Sequence, residues 1–186
     1  MSQKKILIVL INKRVVNKAD DLMKEFEKIY NIHFEKIFRF VYRLIGDLHK
    51  AEDITQDTFL KLYNYLKNNE NINHPQSWLY QVSANLSKNH IKRNNIYRRL
   101  ISKNETITTT SDDNLEDNIL QSEKISMFRY ALKKLSVRDQ VLLQLYRDGL
   151  SYKEIAEISN VKITSVGKML SRAISKCTRL IEKELL

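Results

Sequence analysis

The chain contains few of the residues that make tight turns or cross-link loops. Its 186 residues include 3 glycines, 1 proline and 1 cysteine. Hairpins depend on turn residues of this kind, so their scarcity predicts an all-α fold. The single cysteine, Cys177, excludes an intramolecular disulfide and a cysteine-based zinc site, and it fits a reducing cytosol. The four histidines lack metal-ligand spacing, so we predict neither a metal nor a cofactor.

Long apolar runs are also missing. The apolar stretch 6–11 is too short for a signal sequence and is followed by Asn12, Lys13 and Arg14 rather than by a cleavage site. A membrane span needs about 20 apolar residues, and none is found. We therefore expect a cytoplasmic protein in which residues 1–21 form an N-terminal tail.

Catalytic patterns are absent as well. The sequence shows no nucleophile with a matching base, no Walker lysine loop and no paired metal ligands. We predict no catalytic residues and a protein that is not an enzyme.

Positive charge is abundant and unevenly distributed. The chain has 32 Lys and Arg against 22 Asp and Glu, a formal net charge of +10, which suits a polyanionic partner such as nucleic acid. Residues 72–103 and 159–181 contain no Asp or Glu, whereas residues 104–123 contain no Lys or Arg. This alternation predicts two small helical domains, at 22–100 and 122–186, joined by a flexible acidic linker at 101–121. The linker is either a solvated connection or an imitation of nucleic acid in a positively charged channel.

The first domain begins with apolar residues at helical spacing over 34–45, followed by Gly46 at a helix end and a second helix over 49–67. One side of that second helix carries acids, an amide and a leucine, a set we call the acidic–amide face. It forms either a partner surface or a solvated helix side. Its members are Asp53, Gln56, Asp57 and Leu60.

A polar loop at 67–74 separates this helix from the next, which Pro75 opens. Asparagine favours turns, and its side chain also has the donors and acceptors that read an unstacked base. The candidate base-reading residues are Lys67, Asn68, Asn69, Asn71 and Asn73.

The helix after Pro75 places a ring, two amides and two cations along one side, which we call the amide–cation stripe. Such a series suits bases and phosphates, although a half-buried tryptophan beside solvated lysines is an equally good interpretation. The stripe consists of Trp78, Gln81, Asn85, Lys88 and Lys92.

The second domain has the spacing of a helix–turn–helix. Ser151 and Glu154 form a capping box before a short helix, and Thr164 or Ser165 is expected to cap the last helix. That helix has an apolar side for packing and a side of Lys and Arg residues, which we call the cationic stripe. This division is typical of a recognition helix in a major groove. The cationic stripe consists of Lys168, Arg172, Lys176 and Arg179.

Taken together, these segments resemble the extracytoplasmic-function class of the sigma-70 family. The resemblance covers about residues 25–185. AEDITQDTFLKLY at 51–63 is similar to a conserved segment of the family's first domain, and HPQSWLYQVSANLSKNHIKR at 74–93 to the next. LSVRDQVLLQLYRDGLSYKEIAEISNVKITSVGKMLSRAI at 135–174 is similar to the family's C-terminal helix–turn–helix.

The resemblance implies binding to core RNA polymerase, through its beta and beta-prime subunits, and to promoter DNA. The acidic–amide face would dock on the polymerase clamp. The loop at 67–74 would capture a flipped base of the −10 element, and the amide–cation stripe with Arg93 would hold the strands. The linker would thread toward the polymerase active centre. The −35 element would be read by Thr164, Ser165, Lys168, Met169, Arg172 and Lys176.

The sequence departs from the family at three positions. Gly167 and Met169 stand where the family often has Lys and Arg, and Asn89 replaces a usual acid. We therefore expect weak −35 recognition, with another DNA-targeting factor or an anti-sigma factor left open as a partner. The other functions considered are a helix–turn–helix regulator that binds duplex DNA without polymerase and a nucleic-acid packaging or scaffold protein.

Overall fold

The computed structural model describes residues 3–68, 72–101, 127–128 and 130–184, with side chains described from residue 20 onward except at 98–99, 101 and 184. These residues form helices, and no strand occurs among them, which confirms the predicted all-α fold. The helices are α1 (Gln3–Ile45), α2 (Leu48–Lys67), α3 (Pro75–Ile101), α4 (Val137–Arg147), α5 (Tyr152–Ser159) and α6 (Ile163–Glu184).

The turn between α1 and α2 follows the sequence closely. Gly46 adopts a φ of 75°, which an L side chain rarely tolerates, and its amide bonds the Tyr42 carbonyl at 2.7 Å. Asp47 then caps α2, because its side chain accepts a hydrogen bond from the Lys50 amide at 2.9 Å. The next helix, α3, begins at Pro75 as predicted.

Helix ends in the second unit are set by polar side chains. Ser136 caps α4, and the capping box of Ser151 and Glu154 is present at the start of α5. Asn160 ends α5 in the left-handed conformation, with a φ of 54°. The prediction that Thr164 or Ser165 caps the last helix is wrong. That helix already begins at Ile163, so both residues lie within its first turn.

Helices α1, α2 and α3 pack together around the core of the first unit. Its fully enclosed side chains include Phe40, Leu62, Leu79 and Tyr80. The Phe40 and Tyr80 rings meet edge to face, with centroids 5.0 Å apart and an interplanar angle of 86°. One side of α2 and one side of α3 are buried in this core, so the opposite side of each helix remains on the surface.

The second unit consists of α4, α5 and α6 with a helical stretch at 130–134. Leu142, Leu145, Ile155 and Val166 are enclosed among these helices. The cores of the two units meet, because buried residues of both belong to one contiguous apolar cluster. The units contact each other through α1, α3, α4 and α5.

The predicted tail and linker fall partly outside these elements. Helix α1 runs without interruption from Gln3 across the expected boundary between residues 21 and 22. Residues 102–126, which hold nearly all of the acidic linker, lie outside the described residues. None of the helices in the described part of the chain combines the length and apolar character needed to cross a membrane.

Candidate polymerase and nucleic-acid interfaces

The acidic–amide face lies on the outer side of α2. All four of its residues are exposed, and 59% of Leu60 is accessible to solvent. The opposite side of the helix is buried at Ile54, Phe59 and Leu62, so the core sets the orientation of the face. An exposed leucine among acids and an amide provides apolar contact area with polar groups around it, an arrangement that suits a protein-binding surface with a polar rim.

A hollow of about 300 Å³ lies where the loop at 67–74 meets α3. It brings together three residues of the predicted −10 set, Asn73, Trp78 and Gln81. Lys67 and Asn68 are exposed at the end of α2, while Asn69 and Asn71 lie outside the described residues. The hollow is lined by Tyr65, Ile72, Asn73, His74, Ser77, Trp78, Gln81, Glu157 and Ile158.

Two aromatic rings stand at this hollow. Trp78 is half-buried, and its ring lies 5.4 Å from that of Tyr65, centroid to centroid, at an interplanar angle of 52°. The tryptophan thus packs against the protein and also lines the hollow. Sequence reasoning did not identify Tyr65, and it included His74 only as part of the loop at 67–74 without naming it as a candidate. The available signals were an aromatic residue just off the apolar side of α2, and a polar residue directly before Pro75.

The rest of the amide–cation stripe continues along α3. Asn85 and Lys92 are exposed, as is the neighbouring Arg93, whereas Lys88 is half-buried. Burial lowers the pKa of Lys88 because the surrounding protein disfavours its charged form. A phosphate beside this lysine would offset that cost by pairing with the ammonium group.

The cationic stripe lies on α6. Lys168, Arg172 and Arg179 are exposed, but the Lys176 ammonium donates to the buried Asp139 carboxylate at 3.0 Å. Lys176 is therefore less available to DNA than its neighbours. Of the other predicted −35 residues, Thr164 is exposed, while Ser165 and Met169 are half-buried.

Gly167 lies at the contact between α5 and α6. A Cβ atom at this position would be 3.5 Å from Cε2 of Tyr152, an ordinary van der Waals distance. The position where the resembling family often has lysine therefore faces an aromatic ring of α5. The space beside that ring allows a small side chain.

The second unit contributes an unexpected wall to the hollow. Glu157 and Ile158 of α5 lie opposite residues of the first unit. Sequence reasoning could not identify them, because nothing in the spacing of α5 indicates that it faces the loop at 67–74. The hollow is thus shared between the two units.

Comparison with known proteins decides the family. The family model for Sigma-70 region 2 matches residues 29–96, and the model for Sigma-70, region 4 matches residues 125–177. Together they cover more than half of the chain. The chain is 33% identical over 149 residues to the RNA polymerase sigma factor YlaC of Bacillus subtilis, covering 79% of this chain and 86% of that protein. The chain belongs to the sigma-70 family. It is a sigma factor, and it directs RNA polymerase to initiate transcription at promoters.

The extracytoplasmic-function class is confirmed by a second relative. SigW of Bacillus subtilis, an ECF RNA polymerase sigma factor, is 29% identical over 175 residues, which cover 88% of this chain and 92% of SigW. The sigma factor RpoE of Bartonella quintana, solved in complex with the anti-sigma factor NepR, shares the fold. That similarity has a TM-score of 0.67 at 22% identity and covers 86% of this chain and 98% of RpoE.

Proposed function

We propose that this sigma factor divides its work between three surfaces on two functional domains, 22–100 and 122–186. The acidic–amide face docks on the clamp of core RNA polymerase, and the partner subunits of the polymerase are beta and beta-prime. The hollow captures an unstacked −10 base, and α6 contacts the −35 element. Residues 1–21 and the linker at 101–121 lie outside these domains. Such a role places the protein in the cytoplasm with the polymerase.

The observation that supports this proposal best is the arrangement within the first unit. The acidic–amide face lies exposed on α2, while the hollow lies between the end of α2 and the start of α3. A polymerase bound to α2 would therefore hold melted DNA close to the hollow. There, Trp78 offers a ring for stacking, and Asn73 and Gln81 offer donors and acceptors to a base edge.

The strand would continue along the amide–cation stripe. Phosphates require cations, and Lys88 and Lys92 follow the hollow along α3 one turn apart, with Arg93 next to Lys92 in the sequence. Holding a melted strand requires no bond chemistry from the protein. Sigma factors regulate transcription without an enzymatic step of their own, and we propose no catalytic residue.

We propose that −35 recognition is weak. Lys168 and Arg172 are free to face a phosphate or base, but Lys176 is paired with Asp139. Gly167 meets Tyr152 and provides no donor. Only part of the predicted recognition surface is then available to read the duplex.

Transcription with purified core RNA polymerase on a promoter library tests the proposal. We expect transcripts from a subset of promoters that share a −10 sequence, with weaker enrichment at −35. Core polymerase alone is the control. A chain that binds promoter duplex tightly by itself, does not co-purify with core polymerase and produces no transcript would instead be a helix–turn–helix regulator. Strong sequence-dependent −35 protection by the holoenzyme would contradict the weak −35 contact.

A further inference from the structure

The proposed function leaves the start of α1 without a role. The helix begins at Gln3, and its first turns carry six consecutive apolar residues at 6–11. Basic residues lie on both sides of this run, and residues 1–19 contain no Asp or Glu. We call residues 3–19 the arm. Its basic residues are Lys4, Lys5, Lys13, Arg14 and Lys18.

Ring contacts show where the arm lies relative to α2. Phe26 of α1 meets Tyr63 of α2 with centroids 5.7 Å apart, and Tyr30 meets Phe59 at 4.9 Å. The two helices therefore run antiparallel. Because α2 ends at Lys67, one turn after Tyr63, its end lies beside the part of α1 that is one turn before Phe26. The arm thus extends past the end of α2.

The other contacts of α1 are further still from the arm. Among the described side chains, Leu22 is the first of α1 to pack against the core. Phe40 packs against Tyr80 of α3, and Arg43 pairs with Asp148 of the second unit. At the rise of an α-helix, Phe40 lies about 30 Å beyond the end of the arm. The helices that build the two units therefore lie beside the later part of α1, and the arm projects beyond them.

The composition of the arm limits what can cover it. Six consecutive positions occupy all sides of a helix, because each residue turns it by about 100°. DNA phosphates would pair with the basic residues but would leave the apolar run in water. A second copy of the arm would cover the apolar run but would bring like charges together. The surface of an anionic membrane accepts both, because Lys and Arg pair with lipid phosphates while apolar side chains enter the acyl boundary.

We propose that the arm binds the surface of a membrane that contains anionic lipids. The arm lies in the interface rather than crossing it, because a span needs about 20 apolar residues and this run is much shorter. The acidic–amide face, the hollow and the cationic stripe all lie outside the arm, on helices of the two units. The membrane would thus hold the sigma factor at its cytoplasmic side while polymerase and promoter remain within reach. This inference does not depend on how those three surfaces divide their work.

Vesicle flotation with the full-length chain tests the proposal. The probes are vesicles of phosphatidylcholine alone and vesicles of an equal mixture of phosphatidylcholine and phosphatidylglycerol. We expect at least about tenfold tighter binding to the anionic vesicles, because each Lys or Arg near such a surface contributes about fivefold. Added salt should weaken this binding. Equal binding to the two kinds of vesicle, or binding to neither, would overturn the proposal.

Substitutions in the apolar run separate insertion from simple charge attraction. Leu7→Ser with Leu10→Ser keeps every basic residue, and it should weaken binding to the anionic vesicles by about tenfold or more. The matched control is Ile32→Ser with Leu48→Ser, which removes two exposed apolar side chains outside the arm and should leave binding unchanged. Equal affinities of the two double variants would show that charge alone attracts the chain to lipid, which would overturn the arm as the binding element.

Substitutions of basic residues test the electrostatic part. Lys13→Gln with Arg14→Gln should weaken binding to the anionic vesicles by about tenfold or more. Lys24→Gln with Lys28→Gln, at two exposed lysines of α1 outside the arm, is the matched control and should have a much smaller effect. If the control pair weakens binding as much, the attraction belongs to the whole basic chain and the proposal fails.

Two further measurements distinguish the other partners. Sedimentation velocity without lipid should show a monomer, and a dimer that Leu7→Ser with Leu10→Ser dissociates would assign the arm to a second copy and overturn the proposal. Transcription with core polymerase should be unchanged by the same substitutions, because the arm lies outside the three proposed surfaces. Loss of transcription would assign the arm to the polymerase or the promoter and would also overturn the proposal. Absence of transcripts from the unsubstituted chain would overturn the proposed function alone.

Discussion

The acidic–amide face and the hollow belong to the same helical unit, but they differ in what surrounds them. The face is open to solvent along α2, whereas the hollow has a wall supplied by α5 of the other unit. The face requires only an amphipathic helix whose apolar side is buried. The hollow depends on a loop, two helices and the contact between the units. A surface on one helix and a site between units therefore differ in how they can be regulated.

The largest expected effect concerns the acidic–amide face, the solvent-exposed surface of this comparison. Asp53→Lys combined with Asp57→Lys should weaken binding to core polymerase by at least about 100-fold, because reversing a charge sets like charges against each other across an interface. Titration of fluorescently labelled protein with core polymerase measures the affinity. Glu52→Lys, on the same helix but outside the face, should change it by less than about threefold. Wild-type affinity in the double variant would show that the face is only a solvated helix side.

The next effect concerns the hollow. Asn73→Ala or Gln81→Ala should shorten the lifetime of the open promoter complex by about tenfold, because each removes a hydrogen-bonding group from a captured base. Heparin challenge of the holoenzyme on a promoter from the library measures that lifetime. Asn94→Ala, an exposed amide on α3 away from the hollow, is the matched control. Equal lifetimes in all three variants would exclude the hollow as the base site.

A smaller effect is expected on α6. Binding of the holoenzyme to a −35 duplex weakens with salt, and the slope of log K against log salt concentration reports the number of released counterions. Lys168→Ala and Arg172→Ala should each lower the magnitude of this slope by about one. Lys176→Ala should change it less, because that lysine pairs with Asp139. Affinities measured across a salt series give the slopes, with Lys153→Ala on α5 as control. A larger change for Lys176→Ala than for Arg172→Ala would contradict the assignment.

The smallest effect concerns the stability of the second unit. Gly167→Ala should raise the free energy of unfolding by about 0.5–1 kcal/mol, because alanine favours a helix and its Cβ would meet Tyr152 at an ordinary distance. Gly149→Ala is the contrasting control. That position has open space but a φ of 81°, so alanine there should destabilise the unit by about 1 kcal/mol. Urea unfolding measures both changes, and destabilisation by Gly167→Ala would show that the contact with α5 is tighter than the structure indicates.

Local features of the fold were predictable from sequence. Gly46, Pro75 and Ser151 mark helix ends because each satisfies or terminates backbone groups through its own chemistry. The exposure of the acidic–amide face followed from apolar spacing on the other side of α2. The predicted cap of α6 at Thr164 or Ser165 was wrong, because serine and threonine are tolerated inside a first turn as well as at its start. Composition alone therefore did not locate the beginning of α6.

Contacts between distant parts of the chain were not predictable. Arg43, Tyr80 and Asp148 looked like ordinary surface or core residues of separate helices, and no periodicity relates them. The same holds for Glu157 at the hollow and for Asp139, which forms an ion pair with Lys176 of the cationic stripe. Such pairs arise from how whole helices meet, which spacing within one helix does not determine.

Comparing melted and paired promoter templates tests the central claim most directly. Holoenzyme formed with this sigma factor is titrated against two templates that differ only in whether the −10 segment is already unpaired. We predict binding to the melted template at least about tenfold tighter, because the base then enters the hollow without the cost of unstacking. Equal affinity for the two templates would contradict the claim that α3 and the loop at 67–74 hold unpaired bases.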